Sequence, residues 1–335
     1  MGIGMMTACS LFAAVVLQGP YPLLVTPWAE NARLDVPVLV QEADYVNRQG
    51  TGGIIWPTAG EVNWLDGDGD FEAGLTALAK RAVECDYMAR ITAVCPGTNS
   101  ASAVARAAKV ERIAKATGAK MAILARPPDD ATNQVMILEH YRAFAKVTTQ
   151  PVIIQTYNGK SPQPDVDVIV RLAKEFPGVY GYVKEESPGL QVNDRMVQIL
   201  KHPEIKTLFS GWGGKGWIYQ GSRIGTRGVI SQRPAYASLF VKVWKRLSAG
   251  ADASDPELAD AYTKYLYMIN LGDVFSKEGD DAMRGPHLYV LQRLGLFRNR
   301  LNRVGKNKVE EYKMTEPQKR EVEARMRYCG LLPAK

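Results

Sequence analysis

"PVIIQTYNGKSPQPDVDVIVRLAKEFPGVYGYVKE" (residues 151–185) begins and ends on short runs rich in Val, Ile and Tyr, the composition of a strand. Between them, "DVDVIVRLAKEFPG" starts at Asp165 and stops at Pro177-Gly178, which are helix start and stop signals. Strand, helix and strand in that order predict a parallel βαβ unit.

The same pattern extends in both directions. "YPLLVT" (21–26), "GGIIWP" (52–57), "ARITAVC" (89–95), "AKMAILA" (119–125), "IKTLFSG" (205–211) and "RGVISQ" (227–232) are further strand candidates. Helical stretches separate them. "VPVLVQEADYVNR" and "VARAAKVERIAKATG" place apolar residues three and four apart, and the second ends on Gly118 as a C-cap. Eight nearly continuous apolar strands, each followed by a helix, predict an α/β fold, a closed (β/α)8 TIM barrel whose strands are buried on both faces. An open doubly wound sheet would carry a GxGxxG turn after its first strand. "TPWAEN" (26–31) stands there instead. Beyond residue 250 the strand signals stop, and "PELADAYTKYLYMINLGDVFSKEG", "MRGPHLYVLQRLGLF" and "EPQKREVEARMRYCGLL" read as helices. The expected organisation is a short N-terminal helix (1–19), the barrel (20–250) and a C-terminal helical cap packed on it (251–335).

Of the 335 residues 46% are hydrophobic and 23% charged, an ordinary globular composition. Much of the +7 net charge falls in "RNRLNRVGKNK" (298–308). No aromatic residues interleave with these charges and no nucleic-acid module surrounds them, so the stretch reads as a solvated connector and no nucleic-acid partner is expected. Cys9, Cys85, Cys95 and Cys329 form no CxxC pair. That spacing suits free thiols in a reducing cytoplasm and offers no metal site. His140, His202 and His287 fall on predicted helices or a helix end, which suits surface or packing roles. The N-terminal "MGIGMMTACSLFAAVVLQG" lacks the basic region of a signal peptide and is short for a membrane span. A helix capped by Thr7, packed on the domain, is expected, and no membrane partner.

Lys184 lies near the end of the sixth strand, where a barrel of this kind builds its active site. Side chains alternate along a strand, so Tyr182, Lys184 and Glu186 share one face. If that face points inward, a neutral amine there can attack a carbonyl and form a Schiff base. Glu186 would either hold the lysine charged or shuttle its proton. A strand-end Lys–Glu pair without chemistry is the other reading.

Five segments in order carry a resemblance: "GPYPLLVTPW", "GGIIWPTAGEVNWL", "YVKEESPG", "SGWGGKG" and "GVISQRP". They resemble the dihydrodipicolinate synthase / N-acetylneuraminate lyase family of (β/α)8 barrels from about Gly19 to Gly250. The resemblance implies that Lys184 forms the Schiff base. It implies that Thr58, Ala59 and Gly60 receive the substrate carboxylate and that Ile230 offers its backbone carbonyl near a bound 2-oxo acid. It implies a cytoplasmic homo-oligomer, tetramer or dimer, with no cofactor and no metal. Several positions depart from the family pattern. Ala59 stands where many members have a second threonine. Gln155 replaces the proton-relaying tyrosine of strand five, and Tyr157 fills that role only if the strand slips or bulges. Arg126, Pro127 and Pro128 replace the tyrosine pair at strand four. Gln155, Glu186 and the Pro-Pro run resemble the branch of dehydratases acting on 2-keto-3-deoxy sugar acids. The expected catalytic set is Lys184, Glu186 and Tyr157, with Gln155 touching substrate. The expected activity is a Schiff-base lyase on a 2-oxo acid that dehydrates a 2-keto-3-deoxy sugar acid. The alternatives are an aldolase or synthase using pyruvate, and a barrel that binds a sugar acid without chemistry.

Overall fold

The eight predicted strands form one parallel sheet in a computed structural model that describes residues 16–85, 90–157, 161–187, 189, 191–231, 233–275 and 284–333. They are β1 (Gly19–Pro22), β2 (Gly53–Trp56), β3 (Arg90–Val94), β4 (Met121–Ala125), β5 (Val152–Gln155), β6 (Tyr182–Glu185), β7 (Thr207–Ser210) and β8 (Gly228–Ser231). β1 pairs with β8, and the order then runs back through β7 to β2. The ring closes where Leu23 bridges Ile55 and the Leu24 N–H donates to the Ile55 carbonyl at 2.8 Å. Closure explains the glycine pair that opens β2. A Cβ on Gly52 would stand 1.9 Å from the Gln18 carbonyl oxygen, and one on Gly53 would stand 2.1 Å from the Tyr21 ring.

Alternation along the strands divides the core. Tyr21, Leu23, Ile55, Leu124, Ile153, Tyr182, Phe209 and Ile230 fill the barrel interior. Ile54, Ile91, Ile123, Ile154, Val183 and Leu208 point outward beneath the helices. Each such buried aliphatic side chain stabilises the fold by about 1.5–3 kcal/mol. The helices fall where their periodicity predicts, as in Val36–Arg48 and in Ser100–Thr117, which ends on left-handed Gly118 (φ 74°).

After the barrel come the helices Pro256–Ile269, Leu271–Phe275, Gly285–Arg293 and Glu316–Tyr328. The stretch read as a solvated connector is instead largely a hairpin. β9 (Leu301–Gly305) pairs antiparallel with β10 (Lys308–Glu311), with left-handed Asn307 (φ 56°) in the turn. Its Arg303 is buried, because the guanidinium stacks on Trp28 and Trp64 at 5.2 and 5.3 Å and pairs with Asp68 at 2.7 Å. The helix expected over 1–19 lies largely outside the described residues, as does Cys9. Gly19 already belongs to β1. Cys85, Cys95 and Cys329 are free. No helix among the described residues is long and apolar enough to cross a membrane.

Candidate active site

The C-terminal ends of the strands open into a cavity of about 730 Å³. Thr58, Ala59, Gly60, Gln155, Tyr157, Lys184, Glu186 and Ile230 all line it, so the structure brings the expected catalytic and substrate-binding residues to one place.

Lys184 is 3% exposed and sits on the inner face of β6. Its Nζ lies 2.7 Å from Glu186 Oε2, which also accepts from Gln155 Nε2 at 2.7 Å. Glu186 Oε1 accepts the Trp212 backbone N–H at 3.0 Å. One carboxylate therefore gathers an ammonium or amine, an amide and a backbone donor. Between them in sequence, Glu185 turns outward and is fully buried. It accepts from Thr156 Oγ1 (2.9 Å), the Ser187 N–H (2.8 Å) and Arg195 Nε (3.0 Å). Those bonds clamp the strand end and fix the direction of the residues on either side of it.

Strand five neither slips nor bulges beside this group. Ile153, Ile154 and Gln155 pair in unbroken register with Tyr182, Val183 and Lys184. Gln155 is thus the direct neighbour of Lys184. Tyr157 lies past the strand end, 42% exposed at the cavity mouth, with its ring 4.6 Å beneath the Arg126 guanidinium. Ile230 lies on the inner face of β8, beside Tyr21 of β1.

Across the cavity, Thr58 donates its hydroxyl proton to Glu61 Oε2 at 2.8 Å. Thr26 donates to the same oxygen at 2.6 Å and accepts from Trp56 Nε1 at 3.1 Å. Glu61 Oε1 receives Arg284 Nη1 at 2.7 Å. Behind them Glu42 is fully buried, and burial raises its carboxyl well above the usual range.

Glu61, Gly211, Trp212 and Arg284 belong to the site and were not found from the sequence. The readable signal was the glycine of "SGWGGKG". A Cβ on Gly211 would stand 2.0 Å from Glu186 Cγ, so only glycine leaves room for that carboxylate. Arg284 has no local signal, since it meets Glu61 across 223 residues of chain.

Fold and site together define a (β/α)8 barrel with a buried lysine–glutamate pair at the C-terminal ends of its strands, the architecture of a barrel lyase. The model of the "Dihydrodipicolinate synthetase family" matches residues 17–272, and the chain belongs to that family. Among curated relatives, the 4-hydroxy-tetrahydrodipicolinate synthase of Methylococcus capsulatus is 29% identical over 284 residues, covering 84% of this chain and 90% of the relative. That of Chlorobium luteolum is 28% identical over 285 residues, covering 84% and 88%. The crystal structure of dihydrodipicolinate synthase from Aquifex aeolicus superposes with a TM-score of 0.75 at 19% identity, over 94% of this chain and 98% of that one.

Proposed function

We propose that the protein is a Schiff-base lyase that dehydrates a 2-keto-3-deoxy sugar acid. The observation that supports it most is Glu186, 2.7 Å from Lys184 and held by Gln155, where the family resemblance leads one to expect a tyrosine relay. Glu186 takes the proton that frees the Lys184 amine. The amine attacks the C2 carbonyl, the resulting C2 hydroxyl takes that proton back from Glu186 and leaves as water, and an iminium forms beside a Glu186 carboxylate. The iminium withdraws electrons from C3, so Glu186 removes a C3 proton and an enamine results. The enamine expels the C4 hydroxyl, which takes a proton from Glu186 and departs as water. Hydrolysis of the conjugated iminium consumes one water and restores the amine. The turn at Thr58–Gly60 receives the substrate carboxylate, and the backbone carbonyl of Ile230 lies near the 2-oxo group. Tyr157, at the mouth, contacts the far end of the substrate.

A second reading, a synthase or aldolase using pyruvate, draws on the names of the curated relatives. Against it stand Arg126, Pro127 and Pro128 at the end of β4, where the resemblance calls for a tyrosine pair.

Borohydride reduction in the presence of pyruvate or a longer 2-oxo acid is expected to add mass at Lys184. Lys206 serves as the internal control. It lies 5.4 Å over the Tyr182 ring just before β7, at the opposite end of the barrel, and burial lowers its pKa. An adduct on Lys206, or none, overturns the mechanism. Product analysis with 2-keto-3-deoxy acids separates loss of water from release of pyruvate.

A further inference from the structure

Arg284 lies beyond the family match at residues 17–272, at the start of the helix Gly285–Arg293, and reaches back into the barrel mouth. It is 5% exposed and lines the cavity. Nη1 donates to Glu61 Oε1, Nη2 to the carbonyls of Thr26 (2.9 Å) and Leu301 (3.0 Å), and Nε to Asn302 Oδ1 (2.6 Å). A guanidinium held at four points is fixed in place and has little freedom to follow a substrate.

Its main partner explains why it is there. Glu61 is 7% exposed and shares the 58–61 turn with Thr58, its N–H donating to the Thr58 carbonyl at 3.1 Å. A carboxylate buried in that turn would repel the substrate carboxylate assigned to the same turn. Resting on that assignment, we propose that Arg284 is a positioning residue that cancels the charge of Glu61 and so lets the Thr58–Gly60 turn accept an anionic 2-oxo acid. Glu61 and Arg284 balance as an ion pair, and burial of Glu42 behind them raises its carboxyl well above the usual range, which disfavours a second negative charge there. Loss of Arg284 leaves one uncompensated negative charge beside the substrate carboxylate, in a poorly hydrated setting where Coulomb repulsion is strong. The same loss frees Glu61 from one of its three donors and lets the Thr58 hydroxyl drift with it. The device is carried by a part of the chain that the family match does not include, so the barrel alone would not possess it.

Calorimetric titration with pyruvate reads the carboxylate pocket, and borohydride trapping on Lys184 reads the amine. Arg284→Met is expected to weaken pyruvate binding by about tenfold or more. Adding Glu61→Gln removes the stranded charge and is expected to restore most of the affinity, an outcome that a merely structural role for Arg284 would not give. Arg284→Lys keeps the charge without the fork and is expected to fall between. Pyruvate binding unchanged in folded Arg284→Met overturns the proposal, as does a double variant no better than the single one. If Arg284→Met alone does not fold, the charge-balanced double variant still decides: near-normal affinity supports the proposal and lost affinity overturns it. Wild-type protein that binds pyruvate but traps nothing on Lys184 overturns the Schiff-base reading and leaves the pairing result standing.

Discussion

Each side of the cavity is built on a cation and a glutamate 2.7 Å apart, and the two pairs behave differently. On the β2 side, Arg284 and Glu61 are closed into a network with Thr26, Thr58, Asn302 and two backbone carbonyls. On the β6 side, Lys184 meets Glu186 through a single contact, and Glu186 keeps 14% of its side chain exposed. Arginine stays protonated in proteins and locks geometry through its planar fork, whereas lysine is a point charge that can give up its proton. The first pair suits a fixed anion-receiving wall and the second suits chemistry. The cation type and the number of other bonds decide which role a buried ion pair can play.

Substitutions on the lysine side break this contrast most sharply. Glu186→Gln removes the proposed acid–base group but leaves the amine, so turnover is expected to fall by roughly 10²–10⁴-fold while the borohydride adduct still forms. Tyr157→Phe, at the exposed mouth, is expected to cost far less. The reverse ranking in steady-state assays would restore the tyrosine relay and favour the aldolase reading. Gly211→Ala tests the same carboxylate without altering it. Its Cβ would occupy the space of Glu186 Cγ. Activity is expected to drop toward that of Glu186→Gln, with a stability loss of about 1–3 kcal/mol from overpacking. Full activity in this variant would show that Glu186 can act from elsewhere.

A weaker test uses pH, because the molecule carries buried groups with opposite responses. At the end of β4, His140 Nε2 donates to the Arg126 carbonyl at 3.2 Å and Nδ1 accepts from Ser100 Oγ at 2.9 Å. Burial lowers its pKa from 6.5 to about 4. The unfolded chain therefore takes up a proton below pH 6.5 that the native protein refuses. Stability falls between those values, by about 3 kcal/mol in all. His140→Gln should flatten this slope in urea midpoints measured at pH 7 and pH 5. Buried His287, whose pKa is also lowered, leaves a residual slope of the same sign. Behind the arginine side, Glu42 has its pKa raised from 4.5, so it withdraws stability as pH rises above that value. Glu42→Gln is expected to stabilise the protein at pH 7 and to match the wild type below pH 4. A loss of stability at pH 7 that fades below pH 4 would mean that Glu42 is paired and charged.

The barrel was legible because its signals are local. The eight apolar runs and their helices each lie within one short window. At strand five the sequence put Gln155 at the family's relay-tyrosine position and left Tyr157 a role only if the strand slipped or bulged, and the unbroken pairing of Gln155 with Lys184 shows neither. Lys184, Glu186 and Gln155 came from the same kind of reading. What stayed hidden depends on distant partners. The charges of "RNRLNRVGKNK" look solvated in isolation, and only Trp28, Trp64 and Asp68 make Arg303 an interior residue. The hydroxyl of Thr58 looks like a free donor until Glu61 and Arg284 are placed beside it.

The hairpin and Arg284 have a consequence for the order in which the molecule is finished. Arg284 meets Glu61 across 223 residues, and Arg303 meets Asp68 across 235. A chain emerging from the ribosome at about 5–20 residues per second exposes the first two strands well before either arginine exists. Until then Glu61 and Asp68 lack these partners, and the first strands must wait for β8 before the ring can close. Contacts of such long separation slow folding, because loop entropy must be overcome before they form. On the proposed reading, the nascent barrel carries an unpaired carboxylate at its anion-receiving wall, and its competence to take up an anionic 2-oxo acid arrives with the last sixth or so of the chain.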